Sequence, residues 1–163
     1  MVVPTGPAEA DPDVDGAVAA TVAHLTGPVL GNRFDVNFGF SGMAGLSADL
    51  RDTDTGAGWE KRFGASPEAY RAATRRLYAS VEEEWTAPGA TRPLYADFLD
   101  LVGRSEAAGL FRESGRHWSQ LAALARGAAP EADAGERRAL FDACAVLVDR
   151  CAELEREAVA VLA

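Results

Sequence analysis

The 163-residue chain has no isoleucine, a single lysine (Lys61) among its 16 basic residues, two histidines (His24 and His117) and two cysteines (Cys144 and Cys151). Each scarcity excludes something. The cysteines lie seven apart in a helical pattern, so they share a helix face but stand about 10 Å apart along the axis, beyond disulfide reach, and both read as reduced core residues. No histidine or second cysteine pair stands near them at ligand spacing, so no metal site and no cofactor are expected. The chain also lacks a basic cluster. With a net charge of -9 and arginine interleaved with glutamate and aspartate, nucleic acid and an anionic membrane are excluded as partners. No apolar run approaches the roughly 20 residues that cross a bilayer, and the acidic, proline-rich start is unlike a signal peptide, so the expected location is cytoplasmic.

What is present is helical patterning. Residues 1–13, poor in apolar side chains and broken by Pro4, Pro7 and Pro12, read as a disordered leader. Residues 14–163 read as one all-α domain, a bundle of about six helices. The first is expected to start at Asp15 as N-cap and to stop at Gly27 and Pro28. An ordered Gly- and aromatic-rich loop follows, in which Phe34, Val36, Phe38 and Phe40 alternate; the pattern suggests an extended segment whose rings plug the core. Ser41 is expected to cap the second helix, and Trp59 and Phe63, four apart, to make one amphipathic turn over the core.

Ser66-Pro67-Glu68 marks a helix start with cap, first-turn proline and acid, and that helix is expected to reach Trp85. The next carries Leu94, Tyr95, Phe98, Leu101 and Val102 on its apolar side. Ser105 is expected to cap a helix with the core line Leu110, Phe111, Ser114, Trp118, Leu121 and Leu124. Pro130 or Asp133 opens a long last helix with Leu140, Phe141, Cys144, Leu147, Val148, Cys151, Leu154 and Val161 inward. Its broad apolar stripe makes a homodimer through this helix an expectation.

The candidate chemistry sits between Thr91 and Arg126. Glu113 and His117, four apart on a helix, should touch, giving a histidine whose tautomer and charge a carboxylate could set; they are the candidate catalytic pair. Arg112 and Arg116 are placed beside them to clamp a carboxylate or phosphate. Tyr95, Asp97, Trp59 and Asn37 complete the candidate substrate-binding set. For all of these the plain alternative is structural: a solvated helix face for the Glu113-His117 pair, a buried tyrosine with a bonded hydroxyl for Tyr95, a surface acid for Asp97, a loop-fixing side chain for Asn37 and a core lid for Trp59.

The pieces NFGFSGM, GWEKRF, RPLYADFLD and LFRESGRHWSQLA, in that order from Asn37 to Ala122, resemble the C-terminal half of proteins similar to butirosin biosynthesis protein H. In that family, the N-terminal half is a papain-like cysteine domain that moves an acyl group from an acyl carrier protein to an amine. Neither Cys144 nor Cys151 stands in a Gly-flanked helix start that would make it a nucleophile. The resemblance therefore implies a stand-alone helical domain of antibiotic-type, natural-product biosynthesis. Such a domain would bind an acyl carrier protein, a catalytic partner or an acylated small molecule. The alternative is a small cofactor-independent enzyme of the same kind of pathway, with acid-base chemistry around His117.

Overall fold

The computed structural model describes residues 13–84 and 88–163. Among the described residues there are seven α-helices, one 3-10 helix and no strand. The helices are α1 Val14–Thr26, α2 Gly39–Arg51, α3 Trp59–Phe63, α4 Pro67–Glu82, α5 Arg92–Leu101, α6 Ser105–Arg126 and α7 Ala134–Leu162. The all-α reading holds, with one more helix than the pattern suggested because the single turn at Trp59 is a helix of its own. The expected leader (1–13) and Trp85 fall outside the described residues, except for Asp13.

The long pair α6 and α7 is the spine. A short connection over 127–133 turns the chain back, and the two helices run antiparallel, so that Ser114 and Trp118 of α6 lie against Cys151 and Glu155 of α7. Asp133 starts α7 through a complete capping box with Glu136, two otherwise orphaned N–H groups being satisfied reciprocally. α5 and α4 pack on α6, and α2 packs on α7. One core cluster joins Met43, Leu50, Tyr70, Leu77, Trp118, Phe141 and both cysteines. A second joins Val18, Leu99, Phe111 and Ala158 at the opposite end of the α6-α7 pair. The broad apolar stripe of α7 is thus occupied by α2 and α6 of its own chain. Cys144 and Cys151 are free and buried. No helix among the described residues is long and apolar enough to cross a membrane.

Several local expectations need correction. The N-cap of α1 is Asp13, whose carboxylate accepts from Gly16 N at 2.8 Å; Asp15 falls in the first turn instead and pairs with Arg104. Phe38, without a side-chain cap, and not Ser41, precedes α2. The reason is steric. Gly39 takes φ +53° with its backbone against the Leu25 and His24 carbonyls, so that a Cβ there would stand 2.4 Å from Leu25 O; only glycine fits, and the helix begins on it. Arg104, not Ser105, precedes α6. On α5, Leu101 is 85% exposed and Leu94 is exposed too, while Ala96 and Leu99 are fully buried: the face of α5 that carries Ala96 and Leu99 packs inward, and Leu94 and Leu101 fall on the other side of the helix. Leu124 and Val161 are likewise exposed rather than core.

The connector between α1 and α2 departs most from expectation. It holds a 3-10 helix over Asp35–Asn37, not an extended segment, and its large side chains face out. Val36 is 64% exposed, Leu30 52%, and Phe34 and Phe38 are also exposed; Phe40 alone of the alternating set packs against the core. The loop is nevertheless held. Asp35 accepts from the N–H groups of Val29, Leu30 and Asn32 at 2.6–2.8 Å, and the Asn32 side chain accepts from Phe34 N. Asp35 and Asn32 therefore do the loop-fixing expected of Asn37, whose exposed side chain makes no hydrogen bond among the described residues.

Candidate functional site

A helix advances 100° per residue, and this separates the residues expected to work together on α6. Arg112 and Arg116 lie on the side facing α5, whereas Glu113 and His117 lie about a quarter turn away, facing α7. Arg112 donates to Asp97 and Asp100, both at 2.8 Å, so its guanidinium is engaged within the protein. Those carboxylates hold its pKa above the ordinary value. Asp97 is the surface acid of the plain alternative, paired as stated. Arg116 is exposed and lines a 420 Å³ surface cleft with Pro93 and Gln120.

His117 and Glu113 do approach each other, at 3.9 Å. Glu113 is also 3.7 Å from Arg150 of α7, and His117 Nδ1 meets the Gln120 side chain at 3.0 Å. Trp59 lids the core, edge-on to Phe63 at 5.2 Å and to Phe141 at 5.6 Å. Tyr95 is elsewhere again, stacked on Phe98 and edge-on to Phe111 at 4.9 Å. Its hydroxyl oxygen is buried and makes no well-formed hydrogen bond among the described residues; the Thr21 hydroxyl beside it donates to Ala17 O. Burial raises the phenol pKa, with Thr21 acting the other way.

The densest polar constellation is one that sequence reading missed. Glu155 is fully buried, at 0% exposure, in the C-terminal third of α7. Arg92 grips it bidentately, Nε to Oε1 at 2.8 Å and Nη2 to Oε2 at 2.9 Å. Ser114 Oγ donates to Oε1 at 2.6 Å, and Trp118 Nε1 donates at 3.3 Å. Burial disfavours the Arg92 cation, but the facing carboxylate more than restores it and the pKa rises. The signal was present in the heptad pattern: Glu155 sits four after Cys151 and seven after Val148 on the inward stripe, where a charge requires a partner.

The segment before Arg92 is built around that grip. Gly89, Ala90 and Thr91 all have positive φ, a costly run for the two residues with a Cβ. Four contacts hold it. Gly89 N donates to Glu82 Oε1 and Ala90 N to Val81 O, Arg92 Nη1 donates to Ala90 O, and Gly89 lies on Gly115 of α6 so closely that a Cβ would meet Gly115 O at 2.7 Å. At the C-terminal end of α4, Ser119 donates to Glu82, and Glu84 just beyond it pairs with Arg76.

A family model, domain of unknown function (DUF4872), matches residues 1–162. The chain belongs to the DUF4872 family. No curated protein and no solved structure matches it. The family match covers all seven helices of the DUF4872 chain, the Arg92-Glu155 constellation included.

Proposed function

We propose that this chain is a binding domain of a specialised-metabolite pathway and that the connector between α1 and α2 is the face with which it engages an acyl carrier protein of that pathway. One observation carries the reading. Leu30, Phe34, Val36 and Phe38 are exposed together on a loop whose backbone is pinned by Asp35. Apolar side chains held in one conformation at the surface favour a protein contact, because their burial costs little ordering entropy. Arg33 stacks over Phe34 at 4.8 Å and Arg156 over Phe40 at 4.9 Å, and neither forms an ion pair among the described residues. On a chain of net charge -9, an apolar patch rimmed by arginine suits a partner that presents acidic side chains, which is the surface a carrier protein docking here would need. The pathway assignment rests on the resemblance of the four sequence pieces noted above. The enzyme alternative needs His117, Glu113, Arg112 and Tyr95 around one pocket, and they occupy separate faces.

The test is titration of the pathway's acylated carrier protein into wild type and into the double variant Phe34→Ser, Val36→Thr. Binding that weakens at least tenfold in the variant, with unchanged helicity, is the expected result. Equal affinity for both proteins would remove the connector from the interface, and no binding to either would remove the carrier.

A further inference from the structure

A cleft of about 340 Å³ opens where α6 ends and α7 begins, bordered by Tyr70, Leu124, Gly127, Ala128, Glu136 and Leu140. A cavity of about 150 Å³ takes up benzene, so this one has room for a ring and a substituent. Tyr70 reaches it from α4, held edge-on to Phe141 at 5.8 Å, and is only 2% exposed. Its hydroxyl makes no hydrogen bond among the described residues and is not sealed from solvent, so the little surface that Tyr70 keeps belongs to the cleft. Burial raises the phenol pKa, Arg137 opposing the rise and Cys144, Glu60 and Glu136 adding to it; the hydroxyl stays neutral.

The other polar groups at the cleft accept hydrogen bonds. Glu136 gives Oε2 to the Asp133 N–H at 2.8 Å, leaving its other oxygen without a partner among the described residues. Behind Gly127, the C-cap of α6, the Ala123 and Leu124 carbonyls stand 3.3 and 3.7 Å from where a Cβ would be. No side chain of that residue covers this negative end of the helix, where cations are favoured. The cation over the Tyr70 ring, Arg137, is already spent, donating to both oxygens of Glu60 and to Ala132 O. We infer that this cleft binds a small organic cation, a charged N–H group on an apolar ring or branched body. The N–H group donates to Glu136 and to the Tyr70 oxygen, and the body lies on Leu124, Ala128 and Leu140. An anion would meet a carboxylate and a helix C-terminus, and a purely apolar molecule would leave the Tyr70 hydroxyl unbonded. The inference is independent of the carrier reading, which concerns the connector between α1 and α2.

The probes are benzamidine, which carries the charge, and benzamide, which has nearly the same shape and none. Amide resonances of Leu124, Gly127, Ala128 and Leu140 are followed in the full chain. Benzamidine is expected to shift this set together with a dissociation constant in the low millimolar range, as befits so small a ligand, and benzamide to bind at least about fivefold more weakly. Glu136→Gln keeps a side chain that serves in a capping box and removes the charge. It should weaken benzamidine about threefold to fivefold, what an exposed ion pair contributes, and leave benzamide unchanged. Tyr70→Phe, which breaks no hydrogen bond within the protein, should weaken benzamidine about fivefold; if that variant loses helicity, Glu136→Gln alone decides. Ala123→Phe, at an exposed position on the cleft wall, should weaken both probes. Four results would overturn the inference: no shifts with benzamidine, shifts scattered over the surface, equal affinity for the two probes, or a benzamidine affinity unchanged by either polar substitution in a folded variant.

Discussion

Removing Arg92 should be among the most damaging single changes available in this chain, and the structure gives the size of the effect. Glu155 has no solvent contact and takes two of its hydrogen bonds from Arg92. In Arg92→Met, the carboxylate would keep only Ser114 and Trp118 as donors. Breaking a buried pair from one side costs about 3–5 kcal/mol. Because 26% of the Arg92 side chain is open to solvent, water can partly replace it, and the lower end, about 3 kcal/mol, is expected.

For a chain of this length that corresponds to roughly 6–12 °C in melting temperature. The double variant Arg92→Met, Glu155→Leu leaves no unpaired charge and should recover to within about 1 kcal/mol of wild type. Urea unfolding followed by circular dichroism at 222 nm, run as a double-mutant cycle, measures the coupling. A coupling below about 0.5 kcal/mol, or a double variant no better than Arg92→Met, would refute the picture of a buried carboxylate that depends on this one cation.

The remaining predictions follow from single contacts. Burial pushes the thiol of Cys144 to about 11 and that of Cys151 to about 12, so neither should react with a thiol-directed disulfide reagent at pH 8 until the protein unfolds; fast native labelling would contradict the buried placement. Asp13→Ala should cost about 1 kcal/mol by removing the cap of α1, which urea unfolding would detect. His117→Ala and Glu113→Gln, on a partly solvated face, should each change stability by less than about 0.5 kcal/mol in the same assay and leave carrier binding unaltered.

The Asp35 carboxyl is held below its ordinary pKa chiefly by the Leu30 N–H, with Asn32 and Val29 adding to it against burial. Its support of the connector is therefore present above the unfolded value near 4 and lost as pH falls through the lower folded value. The Leu30 and Val29 amide resonances should titrate together in that acid range, and a midpoint at or above 4 would contradict the bonding seen here.

How much was legible beforehand follows the range of the forces. Helix existence came through because period and caps are local: Ser66 and Asp133 cap α4 and α7 as their neighbours in sequence require, and Trp59 meets Phe63 because they are four apart on one turn. The Glu113-His117 approach was legible for the same reason. Three things were settled only by packing between segments distant in the chain. Whether Phe34, Val36 and Phe38 plug the core or face water depends on how α1 and α2 meet at Gly39, which an alternating pattern does not encode. Whether the Tyr95 hydroxyl finds a partner depends on α1, more than 70 positions earlier. The Arg92-Glu155 pair, 63 residues apart, exists because α5 and α7 both lie on α6. Sequence determines which side of each helix is apolar; only the assembled helices decide which buried charges and hydroxyls are brought face to face, because that takes contacts no local period can specify.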